Sequence, residues 1–160
     1  MLSLLNNICG QPFEEFISAC FHRADMFSLT KNRWEGAAES KEHLYLLQRL
    51  GQYYIQTINT NHWFCYWVPE GYKLEVYLFT ADAGSKKIIL EEYNRIFHGN
   101  TLWDQPEDLC FFEKGKLFAG SVSHENICYV YGRGDDWEDK IKQQGLWEDI
   151  PDVLEEQIRI

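Results

Sequence analysis

The spacing of apolar and polar positions changes period along the chain, and each change marks an element. Residues 12–24 carry Phe13, Phe16, Ile17, Cys20, Phe21 and Ala24 at steps of three and four, which predicts one continuous helical face. Pro12 suits the first helical position. Glu14 and Glu15 favour the positive end of the helix dipole, and His22 and Arg23 favour its negative end. A short strand is expected at 26–29. A second helix is predicted over 37–50, with Leu44, Leu47 and Leu50 on one face and Gly51 just beyond.

Period two then takes over. Strands are predicted at 53–58, 63–68 and 73–80, rich in aromatic and β-branched residues and separated by turns at 59–61 and 69–71. Connections this short favour an antiparallel meander. Ser85 is expected to cap a helix reaching Phe97, with Gly99 ending it. After an extended connection over 102–108, strands at 109–113 and 117–123 form a hairpin about Lys114-Gly115. A strand at 127–131 follows a turn at His124-Glu125-Asn126. Residues 135–144 predict an acidic helix closed by Gly145, and 151–158 a last helix begun by Pro151. No repeat or linker divides the chain. The expectation is a single α+β domain over 1–160, with a mixed, mainly antiparallel sheet of about six strands and helices packed on it.

Composition adds to this picture. At 160 residues the chain is of single-domain size, and an aromatic content of 16% points to a core built largely from rings. The cysteines Cys9, Cys20, Cys65, Cys110 and Cys128 are odd in number, lie among apolar neighbours and form no CxxC, which suits reduced thiols of a cytoplasmic protein. Residues 1–10 lack the basic start and long apolar run of a signal peptide. No stretch approaches the ~18 apolar residues of a membrane span.

The net charge of −10 disfavours nucleic acid and anionic membranes as partners and favours a basic protein. The excess is uneven: within 134–160 nine acids face Lys140, Lys142 and Arg159, leaving that stretch at −6. Two tryptophans are embedded in it. Asp135, Asp136, Trp137, Glu138, Asp139, Trp147, Glu148 and Asp149 are therefore the candidate partner-binding residues, acids to steer and indoles to anchor. A solvated helix face, with Trp137 fastening it to the sheet, accounts for the same residues without a partner.

Catalytic chemistry has weaker claims. Ser121, Ser123, His124 and Glu125 hold the ingredients of a triad. Triads, however, assemble from distant parts of a chain, and no G-x-S-x-G elbow is present. A polar turn is the expected role, with no catalytic residue. His22, His43, His62, His98 and His124 show neither paired metal-ligand spacing nor H-E-x-x-H, so no metal and no cofactor is expected. Alternation along the aromatic run sends Trp63, Cys65 and Trp67 to one face and Phe64 and Tyr66 to the other, the pattern of a central strand covered on both sides. The alternative is a ligand pocket lined by Trp63, Tyr66 and Trp67, with His124 and Glu125 as its polar groups.

The runs Asp108-Leu109-Cys110-Phe111-Phe112, Gly120-Ser121-Val122-Ser123-His124-Glu125 and Ile127-Cys128-Tyr129-Val130 resemble the C-terminal half of small acidic bacterial proteins. Some of these are similar to immunity proteins that neutralise secreted toxins. The resemblance implies a bacterial cytoplasmic protein-binding domain and brings no site residue with it. Joined to the charge, it makes an immunity-type protein with an acidic C-terminal face the leading expectation. A small-molecule-binding domain or enzyme near His124 is the alternative.

Overall fold

The computed structural model describes residues 1–33, 41–97, 106–132, 134–151 and 158–160. In chain order its elements are β1 (Leu2–Leu4), α1 (Gln11–Arg23), β2 (Met26–Arg33), α2 (Lys41–Arg49), β3 (Tyr54–Thr60), β4 (His62–Trp63), β5 (Tyr66–Trp67), β6 (Lys73–Thr80), α3 (Ala83–Glu92), β7 (Glu107–Glu113), β8 (Lys116–Val122), β9 (Ile127–Val130), α4 (Asp136–Lys142) and β10 (Trp147–Asp149). Single 3-10 turns occupy Gly51–Tyr53 and Ser123–Glu125.

The α+β expectation holds, with a larger sheet. Eight strands pair in the order β10-β1-β9-β8-β7-β2-β6-β3, antiparallel at every step, and β4 and β5 form a separate hairpin. The additional strands are β1 and β10, three residues each; β1 lies between β9 and β10, with Leu2 opposite both Val130 and Asp149. The expected short strand at 26–29 is the full-length β2, which sits between β6 and β7.

Alternation gives the sheet two buried faces. On one, Phe13, Phe16, Ile17, Cys20 and Phe21 of α1 pack against Phe27, Leu29, Phe79, Leu109 and Phe111. Phe27 stands 5.1 Å from Phe21 and 5.2 Å from Phe79, centroid to centroid, and Phe21 meets Phe111 edge-on at 5.4 Å. A fully buried ring of this kind stabilises by about 1.5–3 kcal/mol. The opposite face carries Leu74, Val76, Leu78, Cys110, Phe112, Leu117 and Val122, and is covered by Trp63 and Phe64.

That cover corrects the expectation of a strand over 63–68. The aromatic run is not a central strand. It folds into the β4–β5 hairpin, with Cys65 in the left-handed region at φ 62° and Val68 N–H donating to Asn61 O at 2.8 Å. β3 therefore pairs directly with β6, and the meander skips the aromatic run. The reason lies at Gly120. A Cβ there would come within 2.8 Å of the Phe64 ring and 3.0 Å of Cys110 Sγ, so the missing side chain is the seat of Phe64. Trp63 is buried beside it, whereas Trp67 is 81% exposed.

Helix boundaries differ in instructive ways. In α3 the cap is Asp82, not Ser85. Asp82 Oδ1 accepts from Gly84 N–H at 2.8 Å and Ser85 N–H at 2.9 Å, and Asp82 N–H donates back to Ser85 Oγ at 3.0 Å. This reciprocal box places Ser85 three residues inside. The helix stops at Glu92 rather than Phe97, because Tyr93 turns inward, buried, and its hydroxyl donates to Pro106 O. Asn7 then holds Phe97, donating from Nδ2 to its carbonyl at 2.9 Å and accepting its N–H at 3.1 Å. The expected start of the second helix (37–40), the extended segment 102–105, Gly99 and most of the expected last helix (152–157) lie outside the described residues.

Filling the Phe64 seat should release the hairpin. Gly120→Val is expected to cost about 1–3 kcal/mol in urea unfolding, the range for overpacking a filled core. Combined with Phe64→Ala it should cost clearly less than the two single changes added together, since both act on one contact. Additive losses in that double-mutant cycle would show that Phe64 and Gly120 do not depend on each other.

Candidate functional site

Among the described residues, the strongest convergence of chemically active side chains begins with an irregularity in β7. Ser28 pairs with Cys110, but Thr30 pairs with Glu107, so β7 bulges between those positions. Asp108 occupies the bulge at φ 61°, a left-handed conformation that aspartate tolerates better than most residues. Consecutive residues of a regular strand point to opposite faces. Here the bulge brings the Glu107 and Asp108 carboxylates together.

The third member comes from the 3-10 turn after β8. Asp108, 1% exposed, accepts Ser123 N–H at Oδ1 over 2.7 Å, and Ser123 Oγ donates to Ile96 O at 3.2 Å. These bonds fix the turn and aim His124 back at β7. His124 Nδ1 lies 3.0 Å from Glu107 Oε1, and its Nε2 lies 4.0 Å from Glu125 Oε1. Donor atoms of Glu107, Asp108 and His124 all fall within 4.8 Å of one another. The hydrogen bond to Glu107, reinforced by the charges of Glu107, Asp108 and Glu125, raises the His124 pKa above its ordinary 6.5, against the opposing effect of partial burial.

The serines have other work. Ser121 Oγ donates to Leu109 O at 3.3 Å and Ser123 Oγ to Ile96 O, so both hydroxyls are spent on backbone carbonyls. The thiols offer no activated nucleophile among those with a resolved shift: burial pushes Cys65 up to about 12 and raises Cys20, Cys110 and Cys128 as well.

Of the aromatic residues considered for a pocket, Trp63 is buried under the hairpin against Phe112, 6.2 Å between centroids, while Trp67 faces outward. Tyr66 is in β5, paired with Trp63. The two tryptophans thus stand in different environments, not along one lining. Cys65 at the hairpin tip is close enough to Glu125 to feel its charge, which brings the hairpin towards the histidine turn.

The acidic candidates occupy the other region, at the β10 edge of the sheet. Asp135 caps α4, accepting Glu138 N–H at 3.1 Å. Asp135, Asp136, Asp139, Glu148 and Asp149 are exposed. Glu138 is buried; it accepts Gly134 N–H at 2.7 Å and pairs with Lys142 at 2.7 Å. Lys142 also reaches Asp149 at 3.8 Å, tying α4 to β10. Trp137 is engaged inside the fold: its Nε1 donates to Ala19 O at 2.9 Å, and the Arg23 guanidinium lies 4.5 Å over its ring. Trp147 is half-buried, stacked on Phe16 at 5.9 Å.

Sequence reasoning found His124 and Glu125 but passed over Glu107 and, as a site residue, Asp108. The adjacent acids after Pro106 were the available signal; only the bulge makes them neighbours of the histidine.

The His124–Glu107 pair carries a pH signature. An elevated folded-state pKa means that the pair's contribution to stability is fully present below the histidine's ordinary value and is lost as pH climbs through the elevated one. In an NMR titration of chelator-treated protein, the His124 ring is expected to titrate above 6.5 and to move down in Glu107→Gln. A midpoint unchanged by that substitution would remove Glu107 as the cause.

No protein-family model, no curated protein and no solved structure matches the chain, so the reading of these two regions rests on their own residues.

Proposed function

We propose that this protein is a bacterial cytoplasmic protein-binding domain that engages a basic partner through its α4–β10 end, an immunity-type role. The observation that carries the reading is the disposition of charge there. Asp135, Asp136, Asp139, Glu148 and Asp149 are exposed together at the start of one helix and on one edge strand, and outnumber Lys140, exposed on the same helix, and Lys142, which is occupied by Glu138 and Asp149. A net negative field raises the rate of encounter with a basic surface and selects against acidic competitors. β10 adds a second means of contact, because an edge strand offers main-chain donors and acceptors to an incoming segment. With Trp137 and Glu138 committed to the fold, the contact residues of this reading narrow to the exposed acids and the half-buried Trp147.

The alternative, a small-molecule site beside His124, draws its support from the convergence of Glu107, Asp108 and Glu125 on the imidazole. The two readings separate by mutation. Replacing His124 leaves capture of a basic partner intact under the first and abolishes function under the second.

Reversal of Asp136, Asp139, Glu148 and Asp149 to lysine spares the helix cap at Asp135 and the buried Glu138. Wild-type protein immobilised at low salt is expected to retain a basic protein from its native lysate. The reversed variant should lose it, with an association rate reduced by about tenfold or more and a shallower dependence on salt. Equal retention by both proteins, or retention of no basic protein, would overturn the proposal.

A further inference from the structure

We propose that Glu107, Asp108 and His124 form a binding site for a divalent transition-metal ion of the Mn²⁺ or Zn²⁺ class, with the Thr30 hydroxyl beside it. This goes beyond partner binding and depends on nothing at the α4–β10 end.

Two donors bound to one such ion at roughly 2.1 Å stand about 3–4.2 Å apart, depending on the angle between them. The donor atoms of the three residues already lie within 4.8 Å of one another, and His124 Nδ1 to Glu107 Oε1, at 3.0 Å, has the spacing of adjacent ligands. Small side-chain adjustments close the set. An ion pair between His124 and Glu107 accounts for two of the three members. The bulge, with Ser123 N–H bound to Asp108 Oδ1, turns the third donor, the almost fully buried Asp108 carboxylate, towards the same imidazole.

The independent observation comes from β2. Thr30 is fully buried, and its hydroxyl has no hydrogen-bond partner among the described residues. Its register partner is Glu107. Neighbouring strands bring paired residues close together, so the orphaned hydroxyl belongs to the residue directly across the bulge from Glu107. A buried hydroxyl without a partner destabilises the fold unless something outside the protein chain satisfies it. A metal ion or its bound water at Glu107 supplies the missing contact.

The surroundings fit. Histidines that bind metal commonly present their second nitrogen to a carboxylate, and His124 Nε2 lies 4.0 Å from Glu125. The imidazole sets the class of ion: two carboxylates and one nitrogen suit Mn²⁺ or Zn²⁺ better than the all-oxygen preference of Ca²⁺. Glu107 and His124 side chains remain 25% and 29% exposed, so the ion has a route in. Three protein donors also leave coordination positions for water or a ligand.

The test uses the whole chain after chelator treatment. Mn²⁺ added during amide NMR should broaden the signals of Thr30, Glu107, Asp108 and Ser123–Glu125 first, and Zn²⁺ calorimetry should give one saturable site. His124→Ala, Glu107→Gln and Asp108→Asn should each weaken binding by about tenfold or more. Asn at 108 keeps an oxygen for Ser123 N–H, so that variant reports on charge with the turn intact; near-UV dichroism checks the fold of all three. Asp136→Asn with Asp139→Asn should leave affinity unchanged. Broadening centred on α4 and β10, no saturable binding up to roughly 1 mM ion, or tighter binding of Ca²⁺ than of Mn²⁺ would overturn the proposal.

Discussion

The contact on which the rest of this molecule depends is the layer of phenylalanine rings between α1 and the middle of the sheet. Phe27 of β2 sits at its centre, touching Phe21 of the helix and Phe79 and Phe111 of the flanking strands. Once α1 is pressed onto this layer, its remaining groups become fixed points. Ala19 O receives the Trp137 indole and so positions α4. Arg23 is held between the Phe118 and Trp137 rings and reaches Glu113. Ahead of the helix, Gly10 N–H donates to Asn94 O and Ile8 O accepts Ile96 N–H, which places Ile96 where Ser123 meets it. Both candidate regions are therefore referenced to one helix, from its two ends.

Elements governed by local pattern were legible in the sequence. The aromatic stripe of α1, the alternation of β6 and the hairpin about Lys114-Gly115 all encode themselves within a dozen residues. Elements governed by a distant partner were not. β1 and β10 are three residues each, too short for a periodic signal, and exist because each completes the other's hydrogen bonds. The run His62-Trp63-Phe64-Cys65-Tyr66-Trp67 has the composition of a buried strand, and composition could not show that Gly120, far along the chain, leaves a seat for Phe64. Ser85 was correctly associated with a helix start, but the reciprocal partner Asp82 sets the boundary.

The candidate regions divide in the same way. The acidic end was visible from charge alone, since a local excess survives any folding. What folding changed was the standing of individual residues: Trp137 and Glu138 are held by internal hydrogen bonds, leaving the neighbouring acids outside. The histidine cluster was only half visible. Alternation assigns Glu107 and Asp108 to opposite faces, and a single left-handed residue defeats that rule. Bulges leave little trace in a sequence read without its partners.

The position of β1 between β9 and β10 has a consequence for how the sheet assembles. Leu2–Leu4 is separated by most of the described chain from the strands on both sides of it, Ile127–Val130 and Trp147–Asp149. Until those strands meet it, Leu2 and Leu4 lack the sheet that buries them, and pairing across such a separation carries a large loop-closure cost. The acidic edge exists only once β1 and β10 pair, so it is tied to the slowest kind of contact in the molecule.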